Sequence, residues 1–95
     1  MQIATVKIET GENFVDLREI IKGAIPDFEW GIGKRYLIQN RGSNNIVLSE
    51  AVEKPTVLGE GLLLRMFKTA LYTPAMGSIW VFSPNDNGLL NVSEV

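Results

Sequence analysis

Apolar and polar residues alternate at the start of the chain. Ala4, Val6 and Ile8 fall on one face of the segment 2–9, and mainly polar residues fall on the other. Successive side chains of a strand point to opposite faces, so this pattern predicts a strand with one buried face. Strands buried on one face only are typical of antiparallel sheets.

The spacing of apolar residues changes after Asn13. Phe14, Leu17 and Ile21 recur at intervals that place them on one face of a helix. Asn13 is a residue type that caps helix N-termini well. We therefore predict a short helix over residues 14–22, with a bent strand as the alternative.

Two later segments share one order of apolar and polar residues. Residues 36–51 and 80–95 align without a gap, and each opens with an aromatic residue and two apolar ones. A polar break rich in asparagine and glycine follows, and then a second apolar run. This order predicts two β-hairpins, which would supply most of the core and could lie in opposite sheets. Apolar residues on both faces indicate that the strands of the first hairpin are central.

The remaining segments complete a small β protein. Residues 24–33 are predicted to form a loop anchored by Phe28 and Trp30, and residues 62–64 a short buried strand. A chain of 95 residues suits one modest core. We predict a single mainly β domain over residues 1–95: a small antiparallel β-sandwich, jelly-roll-like, or a partial barrel, with one short helix.

Composition narrows the function. The chain has no histidine and no cysteine, which removes the commonest general base and the usual zinc ligands. We therefore expect neither an enzyme nor a bound cofactor or metal. The net charge is −2, and without a basic stripe we expect no nucleic-acid partner. No apolar run approaches the ~20 residues of a membrane span and no signal peptide is evident, so we expect a soluble protein made in a cytoplasm.

Two motifs are compatible with chemistry, although an ordinary structural role explains each better, and a third lacks the required spacing. Glu50 and Glu94 occupy matching places and could form an acid–base pair or a calcium site, but solvated strand ends are the simpler interpretation. Residues 85–88 resemble the start of a calcium loop, and the same residues suit a tight turn. Residues 31–34 lack the spacing of a phosphate-binding loop.

Residues 66–76 are the best candidate for a contact surface. The segment is rich in large apolar groups without clear periodicity, and Met and aromatic residues are enriched in protein interfaces. The alternative is that it folds back to close one end of the sandwich. The candidate interface residues are Met66, Phe67, Leu71, Tyr72 and Met76.

Several short motifs follow one another in the segments 36–55 and 78–95. They are Tyr-Leu-Ile-Gln-Asn at 36–40, Gly-Ser-Asn-Asn at 42–45, Glu-Ala at 50–51, Pro-Thr at 55–56, Ile-Trp-Val at 79–81 and Val-Ser-Glu-Val at 92–95. In these motifs the chain resembles small virion-associated proteins of tailed bacteriophages and prophages. The resemblance implies a head-decoration, cement, tail or fibre protein with a β-sandwich or jelly-roll fold and no catalytic residues. It also implies a homo-oligomer, with a trimer as our guess, bound to a capsid or tail protein and located in the virion.

Two other functions fit the same composition. A ligand- or carbohydrate-binding module would stack its ligand on Trp30, Tyr72 or Trp80. A phage protein that binds a host factor would have no distinguishing composition.

Overall fold

A computed structural model describes residues 3–31, 33–57, 61–74, 78–84 and 87–95. Within these ranges the chain forms eight strands and one helix. The elements are β1 (Ile3–Ile8), β2 (Val15–Asp16), α1 (Leu17–Ala24), β3 (Tyr36–Asn40), β4 (Ile46–Ala51), β5 (Leu62–Leu64), β6 (Thr69–Tyr72), β7 (Ser78–Phe82) and β8 (Gly88–Glu94). The mainly β fold with one short helix is therefore confirmed. No helix in the described ranges has the length and apolar character needed to cross a membrane.

The strands form two antiparallel sheets of four strands each. The first sheet has the order β1-β8-β3-β6 and the second the order β2-β7-β4-β5. The two orders match position by position, so each pair β1–β2, β3–β4, β5–β6 and β7–β8 crosses from one sheet to the other. Four such two-strand arms make an eight-stranded jelly roll. The expected sandwich of jelly-roll type is confirmed, and the partial barrel is not observed.

The two predicted hairpins are wrong as strand pairings. β3 and β4 lie in different sheets, as do β7 and β8, so each repeated segment is an arch that crosses the sandwich. The two arches pair with each other: Leu37 of β3 lies opposite Ser93 of β8, and Ser49 of β4 lies opposite Trp80 of β7. β3 and β4 both have neighbours on either side, which confirms that the strands of the first segment are central.

Burial explains why these segments form arches. Ile38 of β3 and Leu48 of β4 are both buried in the same core cluster, each contributed by a different sheet. A hairpin would place both side chains on one sheet, whereas an arch lets one segment supply both inner faces of the sandwich. The alternation predicted for β1 is confirmed, since Ala4, Val6 and Ile8 are buried.

The helix begins later than predicted. It spans Leu17–Ala24, and the Asp16 side chain caps it by accepting a hydrogen bond from the Arg18 backbone N–H at 2.9 Å. The predicted cap at Asn13 and start at Phe14 are wrong because the residues between them and the helix pair with β7 as the short strand β2. Phe14 is instead buried beside the sheet.

The helix covers one side of the sandwich. α1 packs against β1 and β2, which are terminal strands of the two sheets, and against β7. Its Leu17 and Ile21 side chains are fully buried in the core. A helix laid over sheet edges keeps their backbone groups from pairing with other chains. The terminal strands on the opposite side are β5 and β6.

Candidate functional site

The side of the sandwich formed by β5, β6 and the turn between them exposes large apolar side chains. We call residues 61–72 the β5–β6 edge. Its large side chains that are about half exposed or more are Leu62, Leu63, Met66, Phe67 and Leu71. Three of these, at positions 66, 67 and 71, belong to the predicted interface. Such a run of exposed apolar groups in one short segment is typical of a surface that binds another protein.

The other two predicted interface residues differ from these three. Tyr72 is only 1% exposed and belongs to the core cluster rather than to the surface. It alternates with Leu71 along β6, so its side chain points into the sandwich while that of Leu71 points out. Met76 lies outside the described residues.

Phe67 has an unusual backbone conformation. It is the third residue of the turn Arg65–Lys68, which is closed by a hydrogen bond from the Lys68 N–H to the Arg65 carbonyl at 3.0 Å. Its φ is 63°, a value that glycine adopts easily and that bulky residues rarely adopt. The Phe67 side chain is 60% exposed, so core burial does not explain why a large aromatic residue occupies this strained position.

Asn40 holds this turn in place. Asn40 is fully buried at the end of β3, and its carbonyl accepts the Phe67 N–H at 2.7 Å while its own N–H donates to the Lys68 carbonyl at 3.0 Å. Its side-chain amide donates to the carbonyls of Leu64 and Asn44, both at 2.8 Å. One buried residue thus connects the end of β5, the turn and the β3–β4 arch. A buried polar network satisfied in this way fixes a single local structure.

Alternate residues of β6 direct their backbone N–H and C=O groups away from β3. The Lys68 carbonyl faces β3, and Ala70 and Tyr72 follow it in the same orientation because antiparallel strands alternate in this way. Thr69 and Leu71 therefore direct their N–H and C=O groups to the open side, where the described residues place no further strand. β6 is the terminal strand of the first sheet, so these groups are placed for pairing with an added strand.

A cavity of about 450 Å³ opens beside the β5–β6 edge, between the two sheets. Buried apolar side chains line it from within: Ile38, Leu48 and Ile79. Leu71 lines it on the β6 side, and the exposed carboxylate residue Glu50 also contributes. The described core is therefore incompletely filled on the side where the apolar residues are exposed.

An aromatic cluster supports β6 from inside the protein. The Trp30 ring lies 4.7 Å from the Tyr36 ring and 5.5 Å from the Tyr72 ring, centroid to centroid, both in edge-on geometry. Phe28 packs against Trp30 at 5.0 Å. Burial raises the pKa of the Tyr72 phenol above its ordinary value, while the charge of Arg18 and a hydrogen bond from its side chain oppose that shift. Tyr72 is thus a structural residue under the edge.

The two tryptophans occupy different environments. Trp30 is half-buried and lines a second cleft of about 390 Å³ together with Asp16, Arg18 and Lys22. Trp80 is half-buried on β7, and its indole N–H donates to the Ala51 carbonyl at 3.0 Å. Of the three predicted stacking residues, only Trp30 therefore lines one of these two cavities.

The two matching glutamates have separate roles. Glu94 lies on β8 in the first sheet and forms an ion pair with Lys34 at 3.2 Å. Glu50 lies on β4 in the second sheet beside the cavity. Among the described residues no group of three or more acidic side chains is arranged to hold a metal ion. The turn predicted at residues 85–88 falls partly on residues that are not described.

Sequence reasoning missed several residues of the edge. Leu62 and Leu63 were expected to be buried, but 52% and 47% of their surfaces are exposed, and only Leu64 is buried. β5 is a terminal strand, so the buried strand predicted from three consecutive leucines is wrong for two of them. The role of Asn40 in holding the turn could not be predicted from the sequence, because its hydrogen-bond partners lie up to 28 positions away.

Comparisons with known proteins identify no family for this chain, so a proposal about its function depends on the geometry described above. No family model matches the chain, and neither the curated proteins nor the solved structures compared with it include a match.

Proposed function

We propose that the protein is a non-catalytic assembly protein that binds other protein subunits, including copies of itself, through the β5–β6 edge. The observation that carries the proposal is the strained and exposed Phe67. Its positive φ costs roughly 1–2 kcal/mol for a residue with a Cβ, and its ring is 60% exposed. Strained backbone is retained where it serves function, and an aromatic anchor on a rigid turn is a common centre of protein binding.

The surroundings of Phe67 support the same function. Met66 beside it and Leu71 further along on β6 are also exposed. The buried Asn40 network fixes the turn before any partner binds. Such preorganisation lowers the entropy cost of association. α1 packs against β1 and β2, the terminal strands on the opposite side of the sandwich, which favours β5 and β6 as the docking strands.

We further propose that the bound subunits belong to a tailed-phage virion, either a decorated or cemented head or a tail. This part rests on the resemblance of segments 36–55 and 78–95 to small virion proteins. A jelly roll is compatible with this role and with many others, so the fold alone carries no function.

Quantitative mass spectrometry of purified particles from the source strain tests the proposal. We expect the chain at many copies per particle, in a fixed ratio to the major head or tail protein. If the protein is abundant in the lysate and absent from particles, the virion role is wrong.

The cleft beside Trp30 favours carbohydrate binding as a second candidate function. It combines an indole with the charged side chains of Asp16, Arg18, Glu19 and Lys22, and sugars bind where aromatic faces adjoin polar groups. In a Trp80→Phe variant the remaining tryptophan reports on this cleft. Saturable quenching of its fluorescence by oligosaccharides is the expected result of this function, and an unchanged spectrum contradicts it.

A further inference from the structure

The β5–β6 edge has opposite charges at its two ends. Arg65 and Lys68 are exposed in the turn that precedes β6. Glu50 is exposed near the other end, where it lines the cavity together with Leu71. The surface between these ends includes the exposed Leu62 and Leu71 side chains. An edge with this polarity is complementary to a second copy placed antiparallel to it, because each positive end then meets a negative end.

The backbone of β6 fits the same arrangement. A twofold axis through Ala70 places Thr69 of one copy opposite Leu71 of the other. These are the two residues whose N–H and C=O groups point to the open side, and residues in such pairs exchange both hydrogen bonds. The same register places Lys68 of one copy opposite Tyr72 of the other, at the end of β6 closest to Glu50.

We propose that the β5–β6 edge binds a second copy of this chain, with the two β6 strands paired antiparallel about a twofold axis at Ala70. The two first sheets, of four strands each, then form one continuous sheet, and Lys68 of each copy faces Glu50 of the other. This inference rests on the proposed function, because it names the occupant of the edge that the function uses. A closed pair is a homo-oligomer, as the resemblance implies, but differs from the trimer that we guessed.

Charge reversal tests the arrangement. In a twofold pair the contact between Lys68 and Glu50 occurs twice, so E50K alone or K68E alone places like charges at both contacts. We expect each variant to self-associate about tenfold more weakly than wild type. In an equimolar mixture of the two variants, one contact joins the unchanged residues and the other joins the two substituted ones, with opposite charges at both. Sedimentation velocity should therefore show a heterodimer with near wild-type affinity.

A matched control is K7E, which reverses an exposed lysine on β1 at the far edge of the same sheet. It should dimerise like wild type. Circular dichroism checks that every variant is folded. A mixture that associates no better than E50K or K68E alone overturns the proposal.

Two further outcomes separate the inference from the proposed function. If wild type self-associates, loses this on Leu71→Ser, and is unaffected by charge reversal, the antiparallel arrangement is wrong while the role of the edge stands. If wild type stays monomeric up to concentrations of about 1 mM, a second copy is not the occupant. Incorporation into particles then decides the proposed function independently.

Discussion

Phe67 donates its backbone N–H to the carbonyl of Asn40 over 2.7 Å, which joins a strained and exposed aromatic residue to a fully buried polar one. The Asn40 side chain makes three further hydrogen bonds that hold Asn40 in place. It donates to the carbonyls of Leu64 and Asn44 and accepts the Gly42 N–H at 2.9 Å. The backbone position of Phe67 is therefore set by the core. Any partner that binds this ring binds a surface that is already formed.

Asn40→Ala should lower the free energy of unfolding by about 2–4 kcal/mol, because the buried Leu64 carbonyl and the Gly42 N–H lose their side-chain partner. Urea denaturation followed by fluorescence measures the change. Asn45→Ala is the matched control, since Asn45 is exposed in the same arch, and it should change stability by less than about 0.5 kcal/mol. Equal effects of the two substitutions would show that the Asn40 network is not needed.

Phe67→Gly should be more stable than Phe67→Ala by about 1 kcal/mol. Both variants remove the ring, and only glycine relieves the positive φ of 63°. At most positions the alanine variant is the more stable of the two, so a more stable glycine variant would be specific evidence of a strained φ. Thermal and urea unfolding of the two variants provide the test. We also expect both to lose binding through the β5–β6 edge. An alanine variant as stable as the glycine variant would mean that the turn is not strained.

Gly61→Ala should be strongly destabilising. A Cβ at Gly61 would lie 2.3 Å from the Leu48 carbonyl oxygen, and the φ of 131° is unfavourable for any residue with a side chain. We expect a loss of about 3 kcal/mol or more. Gly23→Ala is the matched control: nothing lies within 4 Å of its Cβ, and alanine in helix α1 should add roughly 0.5–1 kcal/mol. Two losses of similar size would contradict the close approach of residue 61 to β4.

Stability should fall at alkaline pH through Tyr72. Burial raises the pKa of its phenol, so in the pH range between the unfolded pKa near 10 and the folded pKa the unfolded chain loses the proton first. The stabilisation is complete below about pH 10 and is lost as the pH rises toward the folded value. Tyr72→Phe cannot lose a proton there. The free energy of unfolding of wild type minus that of Tyr72→Phe should therefore decrease above about pH 10, and a difference that stays constant would contradict this account.

Local patterns predicted several elements because they depend on neighbours in the chain. The alternation of Ala4, Val6 and Ile8 gave the correct buried face of β1. The helix was found, but its start was misplaced because Phe14 is buried through tertiary contacts rather than by a helical face. Strand pairing could not be read in the same way. Both repeated segments have the composition of hairpins, and only the core between two sheets makes them arches.

The exposure of three candidate interface residues was predictable for the same local reason. Met66, Phe67 and Leu71 were chosen as large apolar residues in an irregular segment, and all three are exposed. The sequence could not show that Tyr72 is buried while the other three are exposed. The face of β6 that points into the sandwich is set by its pairing with β3. The conformation of Phe67 also had no signal, since a positive φ is ordinarily expected at glycine or asparagine.

We propose that the β5–β6 edge joins this protein to other subunits. Leu71 and Ile3 offer a matched comparison, since they are 56% and 58% exposed and lie on opposite terminal strands of the same sheet. The measurement is the ratio of variant to wild type in purified particles when each serine variant is co-expressed with the wild-type chain. We expect Leu71→Ser to be depleted about tenfold, as for loss of a central apolar contact, and Ile3→Ser to keep its input ratio. Equal incorporation of the two variants would contradict the account.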